Sequence, residues 1–126
     1  MKYVIEIKLG KKRMKNFEVQ ELEKGTIIYV SGALMSDDVA DEFKHITYQA
    51  GERDNKNLIL DFSNTTLIGS LLIGLLVRIQ AHFDKIDGNI AFCGFTESIN
   101  DVLSMTKVMT FLNTYKTLEE AKRIFN

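Results

Sequence analysis

The chain has 126 residues, enough for one domain of ordinary size with little room for a second. Hydrophobic residues make up 45% and charged residues 26%, close to the soluble globular average, which excludes a disordered chain, a collagen-like chain and a disulfide scaffold. The net charge of −1 excludes a broad basic surface for nucleic acid, and the single Cys93 has no internal disulfide partner.

The charge is unevenly spread: residues 1–16 carry +5 and the remainder −6. Tyr3, Ile5 and Ile7 alternate with polar neighbours, the pattern of a half-buried strand. Phe17 to Gln20 repeats it and Leu22 extends it, so the two are predicted as a hairpin with Lys11-Lys12-Arg13 in its loop. Thr26 to Val30 is β-branched and aromatic, a third strand that Ser31-Gly32 is expected to end. Ser36-Asp37-Asp38 offers a helix cap with acids in the first turn, and Val39, Phe43, Ile46 and Ala50 follow at helical spacing up to Gly51. Leu58-Ile59-Leu60 reads as a strand covered on both faces, and Asp61 to Thr66 as a polar turn. A second helix is predicted from Ser70 to Ile86, with Leu72, Leu75, Leu76, Ile79, Phe83 and Ile86 as its core stripe.

Asn89 to Cys93 is a further short strand, and Thr96 caps a helix carrying Ile99, Val102 and Leu103. A short strand is expected within Met109 to Tyr115. Thr117-Leu118-Glu119-Glu120 is a capping box that opens a last helix with Ala121, Ile124 and Phe125. The order predicts an α/β fold. Its central sheet is mixed, with an antiparallel start, then right-handed parallel crossovers and about four helices.

Residues for catalysis are scarce. His45 and His82 stand apart in predicted helices with no Cys or carboxylate at metal-ligand spacing, and they read as surface histidines, so neither a metal nor another cofactor is expected. Cys93 reads as a small buried hydrophobe. Gly69 and Gly74 do not make a phosphate loop, and no second carboxylate accompanies Asp61. An enzyme is therefore not expected. The longest nearly uncharged apolar run, Leu67 to Val77, has eleven residues, whereas a spanning helix needs about 20. Residues 1–10 alternate rather than forming a signal peptide. A cytoplasmic protein without membrane insertion or nucleic-acid binding is the expectation.

The informative stretch is Asp61 to Gly74, DFSNTTLIGSLLIG. Ser70 lies where the chain enters a long apolar helix. It serves as a cap or first-turn residue, or as the acceptor of a phosphate that the helix N-terminus stabilises. Leu71, Ile73 and Val77 fall off the core stripe. Either Leu71 packs under a neighbouring loop or the sheet edge, or the helix start forms an exposed patch for a protein partner.

These residues carry a resemblance. Leu58-Ile59-Leu60-Asp61-Phe62, then Ile68-Gly69-Ser70, then Ile73-Gly74-Leu75-Leu76 resemble the signature of the STAS domain, the domain of anti-sigma factor antagonists. That pattern runs apolar-apolar-Asp-Leu-Ser, a short loop, Asp-Ser-Ser-Gly-Leu-Gly and an apolar helix. Ser31-Gly32-Ala33-Leu34, Val102 to Thr106, Phe111 to Tyr115 and Thr117 to Ala121 are similar to further segments of the family, in order. The resemblance implies a STAS domain over residues 17–126, with residues 1–16 an added N-terminal strand and basic turn. It implies partner switching in transcription regulation. A serine-kinase anti-sigma factor binds the unphosphorylated domain and phosphorylates it, and a phosphatase resets it. The phosphoacceptor would be Ser70. The partner-binding residues would be Asp61, Ser63, Asn64, Thr65, Thr66, Gly69, Leu71, Ile73 and Gly74, and a homodimer is compatible with this picture. The sequence departs from the family where Gly69 replaces an Asp and where Leu71 and Leu72 replace Ser and Gly. Those departures motivate an alternative: a non-phosphorylated STAS-like scaffold or subunit of a larger complex, of stressosome or lipid-transport ATPase type.

Overall fold

The computed structural model describes residues 8–126, with side chains from Gly10 onward. Six strands form one sheet in sequential order: β1 (Lys8–Arg13), β2 (Phe17–Leu22), β3 (Gly25–Leu34), β4 (Asn57–Ile68), β5 (Asn89–Cys93) and β6 (Thr114–Tyr115). β1, β2 and β3 are antiparallel neighbours, and β3 to β6 are parallel. Parallel neighbours need crossovers, supplied by α1 (Asp37–Gly51), α2 (Ser70–Lys85) and α3 (Glu97–Met105). Each crossover steps in the same direction, and steps of one hand in one direction put all three helices on one face.

The core follows that arrangement. Phe43, Leu72, Leu76, Ile79, Phe83 and Leu103 from the helices pack on Ile28, Leu58, Leu60, Phe62 and Phe92 of the sheet. The opposite face (Leu22, Ile27, Ile59, Ala91, Cys93) is covered by the C-terminal α4 (Leu118–Ala121) and a 3-10 turn over Lys122–Phe125, through Ala121 and Phe125. β4 is therefore covered on both faces, as its continuous apolar run implies.

Several local expectations are corrected. Lys11, Lys12 and Arg13 lie in β1 itself, paired with Gln20, Val19 and Glu18, and not in a loop. Lys11 and Arg13 flank Glu18 at 3.2 and 3.8 Å, a cross-strand match that keeps the cations in register. The strand expected over Tyr3 to Ile7 falls outside the described residues. β3 does not stop at Ser31-Gly32 but runs to Leu34, and Asp61 to Thr66 is strand, not turn. The Asp61 carboxylate accepts the Ser63 N–H (3.0 Å) and hydroxyl, which holds a polar stretch extended beside β3. The expected strand within 109–115 shrinks to Thr114–Tyr115 after a 3-10 turn over Val108–Phe111. The last helix breaks into 3-10 geometry after one turn. His82 is half-buried rather than on the surface, its ring stacked on Tyr48 between α1 and α2 with centroids 4.1 Å apart, whereas His45 is exposed.

Arg53 ties the loop after α1 to the turn between β2 and β3. Its guanidinium donates to the carbonyls of Leu22 (2.7 Å) and Gly25 (2.6 Å) and to the Thr26 hydroxyl (2.8 Å). Arg53→Ala is expected to destabilise the fold by about 2 to 3 kcal/mol, because it strands three acceptors that were served by a charged donor. Urea unfolding checks this.

Candidate functional site

In a parallel sheet, helices begin where strands end, so the N-termini of α1 and α2 meet at the carboxyl ends of β3 and β4. Both strands run past β5 here: β3 and β4 stay paired as far as Leu34 and Ile68, whereas β5 accompanies β4 only to Asp61. The Gly69 N–H donates to the Leu34 carbonyl (2.9 Å), fixing the turn into α2 to the end of β3. Gly69 is the N-cap of α2 and Ser70 its first residue.

The start of α2 differs from those of the other helices. Ser36, Thr96 and Thr117 cap α1, α3 and α4 through their side chains, and each of those first turns carries an acid. α2 has no side-chain cap and no acid in its first turn. Ser70 is exposed, and its hydroxyl makes no hydrogen bond among the described residues. Free backbone N–H groups and the positive end of the helix dipole therefore adjoin a free hydroxyl.

Three large apolar side chains, on the segments that lead into α1 and α2 and on the first turn of α2, are exposed. Met35, Leu67 and Leu71 are 62, 57 and 49% exposed. Met35 adjoins Gly69: a Cβ on that glycine would sit 3.5 Å from its Sδ, an ordinary contact, so the position has room for a side chain. Leu71 lines a small surface depression together with Asp41 and Lys44 of α1 and Arg78 of its own helix. Of the open alternatives for Leu71, the exposed patch is the observed one; Ile73 and Val77 are half-buried. Leu72 is in the core, so only one of the two leucines that depart from the family pattern reaches the surface.

The remaining site residues fall into two groups. Asp61 and Thr65 are buried: Thr65 donates to the Val30 carbonyl (3.1 Å), and Asp61 holds Ser63. Ser63, Asn64, Thr66 and Gly74 are exposed, and Gly69 and Ile73 are half-buried. Gly94 is a residue that sequence reasoning missed. Its φ is +74°, and a Cβ there would meet the Ser63 hydroxyl and lie 2.6 Å from Asp61 Oδ1. A glycine after an apolar strand signals a turn, but nothing in the sequence links it to residues thirty positions earlier. Burial, with the charge of Asp61 beside it, pushes the Cys93 thiol up to about 12, so it stays protonated and unreactive at neutral pH.

A Cβ at Gly74 would meet nothing within 4 Å. Gly74→Ala is therefore expected to stabilise the free domain by about 0.5 to 1 kcal/mol through helix propensity, raising Tm by a few degrees in a thermal melt.

Comparison with known proteins agrees with this geometry. The family model for the STAS domain matches residues 16–121. No curated relative matches the sequence. Among solved structures the chain is similar to the protein TM1081 of Thermotoga maritima, at 20% identity and TM-score 0.76, covering 93% of this chain and 94% of that one. It is similar to the anti-sigma factor antagonist SpoIIAA in its unphosphorylated form, at 13% identity and TM-score 0.70, covering 86% and 95%. It also resembles part of the murine anion transporter Slc26a9, at 15% identity and TM-score 0.69, covering 95% of this chain but 22% of that one. These likenesses show a shared fold, a mixed sheet with four helices. No helix among the described residues is long and apolar enough to cross a membrane. With the family model spanning most of its length, the chain belongs to the STAS domain family.

Proposed function

We propose that this protein is an anti-sigma factor antagonist-like, non-enzymatic regulatory module in the cytoplasm. It binds a serine-kinase anti-sigma factor through the face around α2, and phosphorylation of Ser70 releases that partner. The observation that carries the reading is the free Ser70 hydroxyl at the uncapped start of α2, on a stretch that also exposes Leu67 and Leu71. A phosphate there gains from the helix N-terminus while adding about −1.5 to −2 charge to an apolar contact surface. One group thus stabilises the free domain and disfavours the complex, which is what a switch requires. Residues 17–126 form the domain in this reading, and residues 1–16 an added strand and turn. The test is phosphate incorporation by the cognate kinase, with site mapping by mass spectrometry. Wild type should take one phosphate at Ser70 and Ser70→Ala none; labelling of Ser70→Ala at wild-type level would refute the site.

A second reading keeps the face and drops the phosphate: a subunit docked in a larger complex, of stressosome or lipid-transport ATPase type. A second exposed apolar patch on and after α3, with Met105 83% and Phe111 63% exposed, favours it. Co-purification of one stable complex with both Ser70→Ala and Ser70→Asp would select this reading.

A further inference from the structure

We propose that two copies of this chain pair about a two-fold axis at the cleft between β1 and α1, each copy setting its basic β1 against the acidic α1 of the other. The cleft exists because the sheet outgrows its helices. α1 packs on β3, β4 and α2, while β2 and β1 carry the sheet further out. Cross-strand partners share a face, so Lys12 with Val19, and Gly10 with Glu21, stand on the side of Ile28, which is the side of the helices. α1 does not close over them, and a cleft of about 690 Å³ remains between this part of the sheet and the helix. The family model begins at residue 16, so the β1 wall is an addition of this chain.

The floor of the cleft is apolar, from Met14, Val19, Ile46 and Ala50, and its two rims differ in charge. On one side stand the exposed Lys11 and Lys12, with Arg13 next in the strand. On the other stand the exposed Glu42 of α1 and Glu52 at its end, with His45 and Gln49 between them on one stripe. Glu21 is engaged by Arg53 at 3.8 Å, and Lys11 and Arg13 lean on Glu18. Lys12, Glu42 and Glu52 have no ion pair among the described residues. A partner of one sign would suit one rim and be repelled by the other. A second copy turned about a two-fold axis presents the opposite sign to both, in the closed symmetry that most dimers use. The net charge of −1 leaves little repulsion between copies. None of the residues proposed to meet the kinase lines this cleft, so the two contacts use different residues.

The test is sedimentation velocity of the full chain, from micromolar to sub-millimolar concentration, at about 20 mM and about 500 mM salt. Lys12→Glu and Glu42→Lys are the variants. Both positions are exposed and unpaired, so circular dichroism and a thermal melt should show folded proteins. Wild type is expected to dimerise at low salt, with a dissociation constant at least about tenfold higher at high salt. Each reversal acts at two contacts of a symmetric dimer and is expected to weaken it at least about tenfold. An equal mixture of the two variants, and the double variant Lys12→Glu/Glu42→Lys, are expected to regain association, because opposite signs then face each other again. Lys116→Glu, at the far edge of the sheet, makes the same change in net charge as Lys12→Glu and is expected to leave the dimer intact. A chain monomeric at every concentration, a dimer indifferent to both reversals, a loss that neither the mixture nor the double variant restores, or an equal loss on Lys116→Glu would overturn the proposal.

Discussion

Ser70→Asp is expected to lower affinity for the partner at least about 100-fold while leaving the domain as stable as wild type, or slightly more so. The two effects have one cause. The first turn of α2 has free N–H groups and no acid, so a carboxylate at residue 70 gains about 0.3 to 1 kcal/mol from the helix dipole. In the proposed complex the same carboxylate would be covered together with the exposed Leu67 and Leu71. Burying it there unpaired costs about 3 kcal/mol or more, which is over a hundredfold in affinity. Calorimetric titration reads the affinity and a thermal melt reads the stability. Loss of binding together with a large fall in Tm would mean that the variant had damaged the fold instead of the interface.

Gly94→Ala is expected to be the most damaging small substitution near the site, costing about 3 kcal/mol or more. The backbone there is left-handed, which costs a residue with a Cβ about 1 kcal/mol. The new methyl group would also press on the Ser63 hydroxyl and the Asp61 carboxylate, both of which are held by their mutual hydrogen bond. Relief means displacing a buried carboxylate from its partner, one of the few routes to a large loss from one atom group. Chemical denaturation measures this loss. Because Ser63 and the strand leading to Ser70 shift with it, partner affinity should fall as well, whereas Gly74→Ala leaves this cluster untouched.

The helices were legible because their signals are local. The stripe from Leu72 to Phe83 and the caps Ser36, Thr96 and Thr117 each act within one or two turns, and all are found where the spacing puts them. The strand ends were not, because strand length depends on a partner that the sequence does not display. Ser31-Gly32 and Asp61 to Thr66 look like turns by composition. Paired with each other across the sheet, they extend β3 and β4 beyond β5. The basic residues of β1 misled for the same reason, since pairing with Glu18 turns an apparent loop into a strand. At the site, Ser70 was readable from its position before an apolar helix. The exposed Met35 and the constraint at Gly94 were not, since both arise from contacts between distant segments.

Ser70→Ala and Ser70→Asp proteins, used side by side as baits in extracts of the native cell and quantified by mass spectrometry, give the most direct test of the switch. The expected result is one ATP-binding serine kinase enriched on Ser70→Ala and absent from Ser70→Asp. Equal capture of that kinase by both baits would contradict a phosphate switch at Ser70.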